Sequence, residues 1–284
     1  MITMFYTKRN IKECLFEGVK LFCNNTSSLI RLFWAILLVC SLLVTATIIL
    51  SVIQTSQPSN TSTTIQIAYI AMLLLSLFAS CVFQTAILTA VHLKSSSYDL
   101  SKVKLNFFYK EMKKHLCYMF IWYIITVVLS MLFSFIPSTY NIIVILLFSW
   151  FTVLVTPSLV FSGKTFVRSV RYALRLGITY NMKVLGLVLL LSVTVGILIL
   201  ITSTPLLLST VMLQTAGQAY LSGDILRASI FVISHPGIII SVMLFSTFVT
   251  LFMQIMYYFP LTYLYSSIVV SYEEKITDSG ENKD

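Results

Sequence analysis

The chain has 284 residues, of which 58% are hydrophobic and 10% charged, and its net charge is +9. Soluble domains carry about 25% charged residues, so a soluble fold is excluded and lipid must cover part of the surface. The basic residues lie in short segments between apolar runs, where membrane topology signals sit, and not on one soluble face as in a nucleic-acid reader; nucleic acid is therefore not an expected partner.

Within the first segment, 1–28, residues 8–22 are predicted to form an interfacial helix. Arg9, Glu13, Glu17 and Lys20 give it a polar face, and Ile11, Leu15, Gly18 and Phe22 an apolar one. The apolar run that follows, Leu29–Ile53, is far longer than the roughly 7–15 residues of a signal-peptide core. It is expected to stay as the first span, with Arg31 snorkelling to the interface. Five further runs are long enough to cross a bilayer, which takes about 20 apolar residues: Ile65–Leu93, Leu116–Ile136, Tyr140–Phe161, Val184–Leu213 and Gly237–Val270. The predicted fold class is all-α: a polytopic membrane protein of six transmembrane helices with basic amphipathic interfacial helices.

Of the 19 Lys and Arg residues, all but Arg227 fall on one side of this pattern. The positive-inside rule then places both termini in the cytosol, in a multi-pass protein of the cell (inner) membrane. The segment 94–115 is basic and aromatic. Segment 164–178 is the most regular: Lys164, Arg168, Arg171 and Arg175 share one helix face, with Phe166, Val167, Val170, Ala173, Leu174 and Ile178 expected opposite. The pattern reads as one membrane domain, 1–270, of three helix-plus-hairpin units, 1–93, 94–162 and 163–270, with a disordered cytosolic tail at 271–284. The last two spans are overlong, and Pro205 and Pro260 mark a kink or an exit from the bilayer. Tyr257, Tyr258, Tyr263 and Tyr265 around Pro260 suggest an interfacial aromatic belt. Asp224 is the expected N-cap of a short helix in the link 214–236.

Chemistry at membrane depth usually needs an ionisable group there, and the six runs contain no Asp, Glu or Lys. No P-loop, HExxH or GxSxG pattern occurs. Cys14, Cys23, Cys40, Cys81 and Cys117 lack the spacing of a redox or zinc motif. His92 and His115 near one interface do not make a metal site without further ligands. No catalytic residue, metal or cofactor is predicted. Gln84 and Gln254 are the notable intramembrane polar residues, expected to bond one another or to line a polar site.

The stretch Thr156-Pro157-Ser158-Leu159-Val160-Phe161-Ser162-Gly163-Lys164, then Phe166 and Ser169-Val170-Arg171-Tyr172-Ala173-Leu174-Arg175-Leu176-Gly177, precedes a new span at Val184. It is similar to a pattern in bacterial six-span membrane families of unknown function and in the membrane region attached to some glycerophosphodiester phosphodiesterases. The resemblance covers residues 150–190 and implies an inner-membrane protein. It carries over no catalytic residue, because the soluble phosphodiesterase domain of that family has no counterpart here. The expected function is a non-enzymatic membrane protein that organises the bilayer or a partner. It would use Lys164, Arg168, Arg171 and Arg175 on anionic headgroups or on a cytosolic or membrane protein. The alternative is a transporter, or the membrane subunit of one, with 164–178 as coupling helix.

Overall fold

A computed structural model describes residues 7–56, 63–133, 135, 152–222 and 235–279. Among these residues the chain forms seven helices and no strand: α1 Ile11–Ser56, α2 Thr63–Ser95, α3 Leu105–Phe133, α4 Val155–Phe161, α5 Phe166–Thr179, α6 Asn181–Ser222 and α7 Pro236–Ser279. Five of them, α1, α2, α3, α6 and α7, are long and apolar enough to cross a membrane, consistent with a multi-pass membrane protein. The expected run Tyr140–Phe161 falls largely outside the described residues, and its described end is α4. The Asp224 cap also falls outside them.

The basic segments differ from a uniform helix-plus-hairpin repeat. The interfacial helix expected at 8–22 is not separate: from Ile11 onward it forms the first turns of the 46-residue α1. The segment 105–114 is likewise continuous with α3. Only α5 is set off from the helix after it, by Tyr180. Neither Pro205 nor Pro260 ends its helix. The tail expectation is corrected for 271–279, where α7 continues to Ser279. An existing helix elongates without a new nucleation cost, and Glu274 is held by Lys8 at 3.4 Å.

The chain divides into two compact units. The first comprises Met1–Leu32, Gln84–Thr194 and Ile255–Asp284, the second Phe33–Phe83 and Val195–Gln254. The division cuts across the segments 1–93 and 163–270 and leaves 94–162 whole within the first unit.

In the first unit the pillar is the part of α7 from Phe259 to Val269, buried at every position. A helix buried all round needs no polar face. Its hydroxyls turn inward on their own backbone: Thr262, Ser266 and Ser271 donate to the carbonyls of Tyr258, Thr262 and Ser267, satisfying themselves without a partner helix. The aromatic belt is therefore corrected at Tyr263 and Tyr265, which are each 2% exposed and belong to the core. The start of α1 is fixed against this pillar. The Arg9 amide donates to Ser267 Oγ at 2.8 Å, and its guanidinium lies 4.7 Å from the Tyr263 ring centroid. Further along, Phe22 meets Phe259 edge-on at 6.3 Å. Between them Gly18 faces Pro260 so closely that a Cβ on Gly18 would lie 2.5 Å from the Pro260 nitrogen.

The link between α2 and α3 is a short ordered turn. Asp99 accepts hydrogen bonds from the Ser101 hydroxyl and amide, and these bonds hold its carboxyl below the usual range. Arg31 donates to the carbonyls of Leu100 and Val103 at 2.8 and 3.2 Å. Its expected snorkelling is thus replaced by a direct clamp on this turn.

In the second unit small and hydroxyl side chains join apolar helices, the usual glue where lipid removes the hydrophobic drive between helices. Cys40 Sγ donates to the Ala79 carbonyl at 3.4 Å, Thr45 pairs with Thr247 at 3.5 Å, and Ser246 donates to the Thr202 carbonyl at 2.6 Å. Ile239 and Met243 pack with Ile48, Ile49, Leu206 and Leu213. Trp34 and Phe245 point outward, exposed at 54% and 71%, as lipid-facing side chains do.

Candidate functional site

The basic surface singled out by its spacing begins at the turn between α4 and α5. Pro157 lies in the first turn of α4, where its missing N–H is one that no helix would have paired. Gly163 takes a left-handed φ of +63° and reverses the chain, so α5 folds back on α4. Ser169 locks the return. Its carbonyl accepts from Ser158 Oγ at 3.0 Å, and its hydroxyl lies 2.8 Å from Ser162 Oγ and 3.2 Å from the Lys164 carbonyl.

The surface of α5 has three sectors, not the two expected. At about 100° per residue, Ser169, Ala173, Leu176 and Gly177 share one side, and all four are buried. Lys164, Arg168, Arg171 and Arg175 lie opposite and are exposed. The third sector is an apolar stripe of Val167, Val170, Leu174 and Ile178 that runs beside the basic one. Of the expected apolar face only Ala173 is buried; Phe166, Val170 and Leu174 are half-buried, and Val167 and Ile178 are 64% and 62% exposed. A groove of about 540 Å³ follows this stripe, with Arg171 and Arg175 along its edge. The helix is anchored at its start and its middle: Phe166 meets Tyr118 of α3 at 6.1 Å, and Tyr172 meets Tyr272 of α7 at 6.0 Å. The Lys164 ammonium sits 3.7 Å above the Tyr172 ring, so this charge is drawn toward its own helix while the three arginines face outward.

Gln84 lines a separate cavity of about 220 Å³ in the first unit. Trp122, Tyr123 and Thr126 of α3 face it, as do Thr152 just before α4, Thr156 within α4 and Tyr258 of α7. Gln254 belongs to the second unit. Sequence reasoning singled out Gln84 and Tyr258 but missed the other five. Spacing held part of the signal: Tyr123 and Thr126 are i, i+3 on α3 and share a helix face, whereas Thr152 lies outside α4.

His92 and His115 do come together, edge-on at 5.8 Å, with Phe161 5.2 Å from His92. The contact is between rings, and His92 Nδ1 is buried with no hydrogen-bond partner among the described residues. No group of three metal-ligating side chains forms among the described residues.

No known protein family, curated protein or solved structure matches this chain.

Proposed function

We propose that this chain is a non-enzymatic integral protein of the cell inner membrane, with both termini in the cytosol, that holds α5 in the headgroup layer and gathers anionic lipid there. The single observation that carries this reading is the exposed pair of stripes on α5. Val167, Val170, Leu174 and Ile178 would cost free energy against water but not against acyl chains. Arg168, Arg171 and Arg175 beside them suit phosphate headgroups. An amphipathic helix lies in the interface plane with this division of faces. The orientation is supported by the placement of every Lys and Arg except Arg227 on one side.

The experiment is lipid retention by native mass spectrometry after extraction from mixed bilayers. Each Arg near the surface contributes about 1 kcal/mol toward anionic lipid. The triple variant R168Q/R171Q/R175Q should therefore lose roughly a hundredfold in affinity, and the wild-type affinity should fall with salt. Equal retention of anionic lipid by both proteins would remove the reading.

The cavity at Gln84 favours a second reading, a transporter or the membrane subunit of one, with 164–178 as a coupling helix. Co-purification of an ATPase or other soluble subunit, lost when the three arginines are neutralised, distinguishes it.

A further inference from the structure

We infer that the cavity at Gln84 is a binding site for a small uncharged polyhydroxy solute. The inference is independent of the lipid contact on α5.

The lining dictates the ligand class. Seven of the nine lining side chains carry a nitrogen or oxygen, and none is ionisable at neutral pH. Gln84 is ten residues before Lys94, about 15 Å along the helix, so its amide lies well inside a span. Among the described residues no hydrogen bond holds that amide or the Tyr258 hydroxyl. Polar groups at such depth must be satisfied by something that enters. A carboxylate or phosphate would find no Lys or Arg in the lining, and a cation no Asp or Glu, and an uncompensated charge in a span is costly.

Shape narrows the class further. Trp122, Tyr123 and Tyr258 put three aromatic rings around the amide and the threonines. Ring faces suit C–H bonds, while amide and hydroxyl groups exchange hydrogen bonds with O–H. Water alone would use the second kind of group and not the first. At about 30 Å³ for each water-sized group, about 220 Å³ holds roughly seven such groups. That matches a polyol of about three or four carbons and is too small for a hexitol.

The test uses the full chain in lipid nanodiscs, with Trp34 and Trp150 replaced by Phe so that Trp122 reports alone. Glycerol and erythritol should shift its emission saturably. Mannitol, tetramethylammonium and inorganic phosphate should not. Gln84→Leu should weaken the polyol response at least tenfold. Tyr258→Phe removes one oxygen and should weaken it about fivefold, and it decides the matter if Gln84→Leu does not fold. A saturable shift with tetramethylammonium would overturn the inference in favour of a cation cage. The absence of a saturable shift with either small polyol, or a shift unchanged in Tyr258→Phe, would overturn it in favour of a water-filled cavity.

Discussion

Two glycines with opposite surroundings show how single residues hold this protein. A Cβ at Gly18 would meet Pro260 backbone at 2.5 Å, and backbone cannot swing aside. Gly18→Ala should therefore force α1 from the pillar of α7 and destabilise the protein by about 1–3 kcal/mol, as overpacking does. At Gly196 nothing lies within 4 Å of the added carbon. Gly196→Ala should leave stability unchanged or raise it by up to about 1 kcal/mol through helix propensity. Thermal unfolding of both variants in detergent checks the pair, and equal midpoints would contradict the packing described. Gly163 is a third case, with open space but a left-handed φ of +63°. Gly163→Ala should cost about 1–2 kcal/mol of backbone strain in the α4–α5 turn, read in the same unfolding measurement. The close approach of Gly18 was only half legible in the sequence. Its place on the apolar face of 8–22 was readable from spacing, but its partner lies more than two hundred residues away, and no local pattern encodes that distance.

At the scale of elements, periodicity identified what each helix could bury but not what would cover it. In α5 the basic row at i, i+4, i+7, i+11 was readable directly. The two-sided division was not correct, because the sequence cannot tell apolar side chains that meet protein from those that meet lipid. Ala173 packs against the protein, while Val167 and Ile178 do not. The small residues Ser169, Ala173 and Gly177 are the clue in retrospect: small side chains on one face permit close packing. The tyrosines of α7 fail for a related reason. Tyrosine is common both at membrane interfaces and in satisfied cores, and composition around Pro260 cannot choose between them. Burial of the whole stretch Phe259–Val269 chooses the core for Tyr263 and Tyr265. The cavity at Gln84 was legible through only two of its seven polar residues, Gln84 and Tyr258, because its lining is assembled from four separate segments of the chain.

For the whole molecule, exclusion of charge from the apolar runs predicted a multi-pass helical membrane protein, and five helices meet the requirement of length and composition. That level was legible because the bilayer imposes length and hydropathy on every span separately. The division into two compact units was not, since each of α1, α2, α6 and α7 contributes to both, and a hydropathy pattern is blind to where along a helix its neighbours change. The placement of α5 is where topology, charge and packing converge. Its arginines carry the side bias of the chain, its small face docks on α4, and its apolar stripe is left half-buried at Val170 and Leu174 and exposed at Val167 and Ile178. The most direct measurement is spin-label accessibility along α5 in bilayers containing anionic lipid, with single labels at Val167, Arg168, Val170, Arg171, Leu174, Arg175 and Ile178. Collisions with oxygen should peak at 167, 170, 174 and 178, and collisions with a water-soluble nickel chelate at 168, 171 and 175. Nickel accessibility that is uniform along the helix would mean that α5 stands clear of the membrane, and would contradict the account.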